Sequence, residues 1–131
     1  MKKIFKFSLC VFTLIILLSG CSFNVSVNSG SKDEVKVEMS YNSSAAEEVI
    51  VDVENEDIVS ISTESPDEYK CKGVDGCSFT TYYVIKPKKE GTTKVTFTKQ
   101  RFTDNTLLRK EVYDIKVDKD LKITETHKVE K

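Results

Sequence analysis

Apolar and polar residues alternate one by one along much of the chain from residue 34 onward. Val35, Val37 and Met39 alternate with polar neighbours, and the pattern returns at Val95 and Phe97. Such alternation places one face of a strand on a core and the other in water. Further runs that alternate or are rich in β-branched and aromatic residues are 49–53, 59–62, 79–85, 113–117 and, more weakly, 121–123. The pattern predicts about seven short antiparallel strands.

Residues that favour turns separate these runs. They are Asn55-Glu56-Asp57, Ser65-Pro66-Asp67, the stretch 86–91 with Pro87 and Gly91, and Asp104-Asn105. Short strands at this spacing, without a convincing helix, are typical of an all-β fold. We predict an immunoglobulin-like antiparallel β-sandwich over residues 34–121, with a small barrel as the alternative. Residues 122–131 are interpreted as a C-terminal tail or a weak strand.

The first 21 residues have a different pattern. Three lysines within residues 1–6 precede an apolar stretch of about 12 residues, which is too short for a spanning helix of about 20 residues. The run Leu18-Ser19-Gly20-Cys21 resembles the signal of a bacterial lipoprotein. This resemblance implies that residues 1–20 are a signal peptide and that Cys21 becomes the lipidated first residue, as in palmitate-bearing lipoproteins. The alternative is an uncleaved signal anchor with a chance cysteine.

A lipid on Cys21 implies an extracytoplasmic protein held on the cell membrane by its acyl chains. Residues 22–33 are rich in Ser, Asn and Gly, so we interpret residues 21–33 as the lipidated cysteine and a flexible tether. The alternation of Phe23, Val25 and Val27 also leaves room for a short edge strand.

Length and charge limit the partners of the exported part. Removing residues 1–20 leaves 111 residues, enough for one domain, with 17 basic and 21 acidic side chains and a formal charge of −4. Nucleic acids and anionic bilayers both attract clustered positive charge. We therefore predict no nucleic-acid partner, and we assign the membrane contact to the lipid rather than to charge.

Cys71 and Cys77 enclose the short segment Lys72-Gly73-Val74-Asp75-Gly76. Exported proteins escape the reducing cytosol, so we predict a structural disulfide between them. Free thiols remain an alternative. A redox pair is disfavoured because five residues separate the cysteines, and a metal site because matched further ligands are lacking.

The sequence offers no set of residues suited to catalysis. Its sole histidine, His127, lies near a C-terminus that we expect to fray, which disfavours Ser/His/Asp and Cys/His arrangements. The acidic residues Glu54, Glu56 and Asp57 match no calcium-loop spacing, and no glycine-rich phosphate loop follows a strand. We therefore predict a protein that is not an enzyme, with no metal, cofactor or small-molecule substrate.

Recognition through loops is the remaining interpretation, with a protein as the expected partner. Three loops are candidates, and their key residues are Asn42, Ser43 and Ser44 in the first, Gly73 and Gly76 in the second, and Arg101 and Phe102 in the third. Alternate loops of such a sandwich cluster at one end, so we expect one shared surface. Arginine and aromatic side chains are common binding anchors, although burial of Phe102 at a corner and a plain surface role for Arg101 are alternatives.

The order of these loops resembles the chagasin family, immunoglobulin-like inhibitors of papain-type cysteine proteases, over roughly residues 34–118. The resemblance implies that the three loops enter the protease cleft. Here the first loop lacks the family's proline, threonines and glycine, and Arg101-Phe102 lacks the intervening proline. Phrases such as Asp57-Ile58-Val59-Ser60-Ile61-Ser62 also resemble general bacterial immunoglobulin-like surface domains. A structural accessory subunit of an envelope complex and a cell-wall-binding surface module therefore remain alternatives.

Overall fold

The computed structural model describes residues 25–42 and 44–130, which are built almost wholly from β-strands. These residues form eight strands: β1 (Val25–Lys32), β2 (Val35–Asn42), β3 (Glu47–Val53), β4 (Val59–Glu64), β5 (Ser78–Pro87), β6 (Gly91–Arg101), β7 (Thr106–Val117) and β8 (Ile123–Glu130). One 3-10 turn, Glu68–Cys71, lies between β4 and β5. No helix in this part of the chain is long and apolar enough to cross a membrane.

The strands form two antiparallel sheets that face each other across one core. Five strands lie in the order β1-β8-β7-β6-β3 and three in the order β2-β5-β4. The prediction of an immunoglobulin-like antiparallel β-sandwich is confirmed. The described residues contain eight strands rather than about seven because β1 adds an edge to the larger sheet.

The alternation seen in the sequence decides which side chains enter the core. Val35 and Val37 of β2 lie opposite Ile85 and Tyr83 of β5, and all four side chains are buried. Phe97 lies at the centre and is fully buried. The rings of Tyr83 and Tyr113 meet Phe97 edge-on at centroid distances of 5.2 and 5.7 Å. Each buried side chain of this size stabilises the fold by about 1.5–3 kcal/mol, so the central residues set the register of both sheets.

The prediction of a flexible tether over residues 21–33 is wrong for most of that range. Val25–Lys32 pairs with β8 as an edge strand, and Lys32 forms an ion pair with Glu125 at 2.7 Å. Asp33 forms another ion pair with Lys122. β8 carries backbone donors and acceptors on both sides, and β1 satisfies those that β7 leaves open. The alternative interpretation of this segment, a short edge strand, is the one observed.

The C-terminal segment is also ordered into the fold. The domain was predicted to end at residue 121, but Ile123 to Glu130 form β8, between β1 and β7. Ile123 is fully buried. Of the two interpretations of residues 122–131, the strand is the one observed, and the sandwich spans residues 25–130 in the described chain. Cys21 and the signal segment 1–20 lie outside the described residues.

Candidate functional site

Three connections of the chain meet at one end of the sandwich. β2 ends at Asn42 opposite Ser78, the first residue of β5. β6 ends at Arg101 opposite Glu47, the first residue of β3. These pairings place the β2–β3 connection, the cysteine ring before β5 and the β6–β7 turn side by side. We call this surface the three-loop end, and it comprises residues 42 and 44–46, 71–77 and 101–105.

The first loop is bonded to both of the others. The backbone N–H of Gly76 donates a hydrogen bond to Oγ of Ser44 at 2.5 Å. The backbone N–H of Phe102 donates to the carbonyl oxygen of Ala46 at 2.9 Å. The expectation that the three loops share an end therefore agrees with these contacts. The role of their residues in binding stays a prediction.

The first loop is held by its own polar groups. Oδ1 of Asn42 accepts a hydrogen bond from the backbone N–H of Ser44 at 3.0 Å, and the N–H of Asn42 donates to Oε2 of Glu47 at 3.2 Å. Ala46 adopts a positive φ of 50°, which closes the turn. The side chain of Asn42 thus stabilises the loop itself. Ser43 lies outside the described residues.

The second loop is a closed ring. Cys71 and Cys77 form the predicted disulfide, with Cα atoms 5.3 Å apart, within the usual range for such bonds. Cys71 is buried and anchors the ring against β5, where its Sγ lies 3.5 Å from the carbonyl oxygen of Ser78. Gly73 and Gly76 adopt positive φ values of 77° and 70°, which explains why glycine suits both positions. The ring holds the N–H of Gly76 in place for Ser44.

The third loop is the most exposed of the three. Phe102 is 58% exposed, so it does not pack at a sandwich corner, and Leu107 at the start of β7 is 50% exposed. Nη1 of Arg101 lies 3.5 Å from Oδ2 of Asp104. Hydrogen bonds from Thr106, with a smaller contribution from Arg101, hold the pKa of the Asp104 carboxyl below its usual range. The loop thus displays one aromatic ring beside a paired arginine.

Lys99 ties the two sheets together beneath the three-loop end. Its Nζ atom lies 2.9 Å from Oε2 of Glu47 on β3, and it donates a hydrogen bond to the Ser40 carbonyl oxygen on β2 at 2.5 Å. The same ammonium lies 5.8 Å from the ring centroid of Tyr41. Burial, together with a 2.6 Å hydrogen bond to Tyr83, raises the pKa of the Tyr41 hydroxyl. These contacts give the loops a rigid base.

A second polar cluster, which the sequence pattern did not predict as a site, lies on the inner face of the larger sheet. Oε2 of Glu111 on β7 accepts a hydrogen bond from the Tyr113 hydroxyl at 2.9 Å and lies 2.8 Å from Nε2 of His127 on β8. The rings of Tyr113 and His127 stack at 4.3 Å. The expectation that His127 lies in a frayed tail is wrong, because β8 carries it against the core.

The same cluster contains charges that are only partly compensated. Arg109 Nε lies 2.5 Å from Oε1 of Glu111, yet that oxygen has no hydrogen-bond partner in the described part of the chain, so the contact is an ion pair without a well-directed N–H. Oε2 of Glu125 is also buried without a hydrogen-bond partner among the described residues. Burial and the neighbouring Glu111 raise the pKa of Tyr113. The sequence did contain a signal for this cluster, since Glu111, Glu125 and His127 share the parity of buried Tyr113 and Ile115.

The chemistry of the two clusters differs. In the second, the Nε2 atom of His127 is occupied by Glu111, so the imidazole helps to join β7 to β8. Among the described residues, no group of three or more His, Cys, Asp or Glu side chains is placed to hold a metal ion. The three-loop end offers exposed, positioned side chains suited to recognition. Comparison of the chain with protein-family models, curated proteins and solved structures found no match.

Proposed function

We propose that this chain is a lipid-anchored protein of the cell envelope whose three-loop end binds a protein partner without catalysing a reaction. In this proposal Cys21 carries the lipid and the sandwich presents the loops on the extracytoplasmic side of the membrane. The anchor rests on the run Leu18-Ser19-Gly20-Cys21 and the apolar stretch before it.

One observation carries the binding part of the proposal. The first loop is bonded to the ring through Ser44 and Gly76, and to the third loop through Ala46 and Phe102. Loops held in one arrangement before binding lose little conformational entropy when a partner is bound. An exposed phenylalanine beside an arginine on such a surface is typical of protein-binding anchors.

The anchor is tested on the chain purified from the membranes of the cells that make it. Mass spectrometry should find Cys21 as the first residue, with a mass increased by acyl chains. A Cys21→Ser variant should no longer be retained in the membrane fraction as a processed protein. A mature protein that begins at another residue, or a Cys21 of unmodified mass, contradicts the anchor but leaves loop binding open.

The binding surface is tested with matched variants at opposite ends of the sandwich. Phe102 and Leu121 are both exposed apolar residues, but Leu121 lies in the β7–β8 turn at the far end of β7. Phe102→Ala and Arg101→Ala should each weaken partner retention, because they remove the two candidate anchors. Leu121→Ala should leave it unchanged. Equal effects at both ends contradict the assignment of the surface.

The narrower form of the proposal is inhibition of a papain-type cysteine protease, as the resemblance to the chagasin family implies. Papain mixed with the exported part of the chain provides a direct assay. Inhibition should appear below about 50 µM, where binding free energies reach about −6 kcal/mol. It should weaken in Phe102→Ala but persist in Leu121→Ala. Full papain activity at that concentration rejects the inhibitor form while leaving other protein partners open.

The alternatives give different outcomes in the same preparations. An accessory subunit should leave the membrane in stoichiometric complex with one partner after mild detergent extraction. A cell-wall-binding module should instead sediment with purified wall material in the absence of any other protein. If Phe102→Ala and Arg101→Ala bind the wall material as well as wild type does, the proposed protein-binding surface is contradicted.

A further inference from the structure

Each sheet of the sandwich ends in two edge strands, which bond to a neighbouring strand on one side only. Among the described residues these edges are β1 and β3 in the larger sheet and β2 and β4 in the smaller one. An unprotected edge can pair with a strand of another molecule, and proteins usually prevent this with charges, bulges or capping contacts. Three of the four edges carry such protection, and β4 does not.

The protected edges use different devices. At the free edge of β2, the carbonyl oxygen of Ser40 accepts a hydrogen bond from Lys99, and the N–H of Asn42 donates to Glu47. In β1 the register with β8 shifts within the strand, which interrupts its regular edge. β3 has three acidic residues and no basic residue among its seven, so it repels another strand of the same charge.

β4 offers a regular row of backbone groups. Val59–Glu64 contains no lysine, proline or glycine, its one charged residue is the last, and its register with β5 is continuous. The N–H of Lys88 donates to the carbonyl oxygen of Ile58, so the even-numbered residues of β4 are those that bond to β5. Backbone bonds alternate along an antiparallel pair, so the odd-numbered residues point their N–H and C=O groups away from the sheet. No side chain of the described residues caps these groups.

The inner side of β4 is also incompletely covered. Val59 is buried, Ile61 is half-buried against the core, and Thr63 is exposed although it shares their parity. These are the same three residues whose backbone groups point outward. A strand added beside β4 would therefore satisfy their backbone groups and cover the open sides of Ile61 and Thr63.

We infer that this strand is β4 of a second copy of the chain, paired antiparallel about a two-fold axis at Ile61. The two three-stranded sheets then join into one sheet of six strands. Ile61 lies opposite Ile61 of the other copy, and Val59 lies opposite Thr63. All three outward positions thus form hydrogen-bonded pairs, and the two isoleucines contact each other across the axis. Because both free β4 edges are used, the contact closes at two copies.

The side chains of the other face fit a second copy in the same register. Ser60 lies opposite Ser62, whose hydroxyl can form a hydrogen bond with it. Glu64 lies opposite Ile58, so no like charges oppose each other across the axis. β4 is therefore complementary to itself in charge and in the position of its apolar residue.

The contact is small, which determines when it forms. Six residues on each side are far fewer than the roughly 20–30 of a stable soluble interface. The pairing should therefore depend on the local concentration of the chain, which a shared membrane would raise. The inference goes beyond the proposed function and requires neither the lipid nor the three-loop end.

Cysteine cross-linking of the full chain, in the cells that make it, tests the pairing. Ser60→Cys and Ser62→Cys are produced together and treated with a mild oxidant, because these positions lie opposite each other in the inferred register. The mixture should give at least fivefold more covalent dimer than either variant alone. Ile50→Cys, exposed on the acidic β3, is the control for chance collisions and should give no more dimer than wild type.

Substitutions at Thr63 test whether the β4 edge forms this dimer. In the cross-linking pair, Thr63→Pro should lower the yield of dimer at least tenfold, since it removes an outward N–H and no bond to β5. Thr63→Val is the matched control and should keep the yield. Thr63→Lys places a charge at the same junction and replaces Thr63→Pro if circular dichroism shows that the proline variant is unfolded. A yield that the folded variant leaves unchanged, or no enrichment in the mixture, overturns the pairing. An adduct of Ser60→Cys with a different protein overturns the second copy as the occupant.

Discussion

The Nε2 atom of His127 lies 2.8 Å from Oε2 of Glu111, a carboxylate with only 2% of its surface exposed. The contact joins β7 to β8 on the inner face of the larger sheet, and β8 in turn holds β1. A buried charge is stable only while its partners remain, so Glu111 is the residue on which this side of the sandwich depends.

Replacing Glu111 with leucine should lower the free energy of unfolding by about 3 kcal/mol, because Tyr113 and His127 lose their hydrogen-bond partner and Arg109 loses its ion pair. Glu111→Gln should lower the free energy of unfolding by less, since the amide oxygen still accepts a hydrogen bond. Urea denaturation of the exported chain measures both changes. Glu38→Leu on the exposed face of β2 is the control and should change stability by less than about 0.5 kcal/mol. A Glu111→Leu variant as stable as wild type contradicts a structural role for the cluster.

Stability should fall with rising pH above about pH 10, the usual pKa of tyrosine. The pKa values of Tyr41 and Tyr113 are raised in the folded protein, each mainly by burial. The folded state therefore keeps these protons more tightly than the unfolded chain, and the stability that they contribute is complete below pH 10 and lost above it. For Tyr113, which is 7% exposed, the slope reaches at most about 1.4 kcal/mol per pH unit.

Denaturation midpoints between pH 8 and 11 measure this slope. Tyr113→Phe is the matched variant, less stable at neutral pH because Glu111 loses a donor, but with a shallower decline above pH 10. A decline of the same steepness in Tyr113→Phe and wild type assigns the effect to other groups.

Removing the ring should loosen the three-loop end. The double variant Cys71→Ala/Cys77→Ala should lose about 2 kcal/mol in the chain-entropy description of a short disulfide loop. The amide of Gly76 should exchange its hydrogen faster, because its bond to Ser44 depends on the position of the ring. Wild-type protein treated with a thiol reductant should match the double variant. Unchanged exchange at Gly76 in both preparations contradicts the view that the disulfide preforms the loop surface.

A side chain at position 91 should destabilise the fold. The φ of Gly91 is +148°, and an added Cβ lies 2.6 Å from Cδ1 of Ile58. Gly91→Ala should therefore lower the unfolding free energy by about 1–2 kcal/mol. Gly30→Ala, where no atom lies within 4 Å of the new Cβ, should stay within about 0.5 kcal/mol of wild type.

Adding Ile58→Val to Gly91→Ala separates the two causes of the loss. Valine lacks the Cδ1 atom but also removes a buried methylene, so Gly91→Ala is measured in the Ile58→Val background as well. A smaller loss there than in wild type assigns part of the effect to the steric contact, and an equal loss assigns the whole effect to the backbone conformation.

The local pattern of the sequence determined the all-β class and the core faces of the central strands. Val35, Val37, Val95 and Phe97 are buried as predicted, because a strand has a period of two and its inward face is fixed by neighbours two residues away. The Cys71–Cys77 disulfide was likewise predictable, since a separation of six residues keeps the two thiols close in any compact loop.

The tertiary structure alone decided the roles of β1 and β8. Val25–Lys32 contains polar residues that resemble a linker, and it becomes a strand only because β8 supplies a partner about 100 residues away in the chain. The same pairing moves His127 from an expected tail to a contact with Glu111. Long-range pairing also places Val25, the first residue of β1, level with Val112 in the middle of β7. Local periodicity predicts which face of each strand is buried. The neighbours of a strand in the sheet, and the direction in which it runs, depend on contacts between distant segments of the chain.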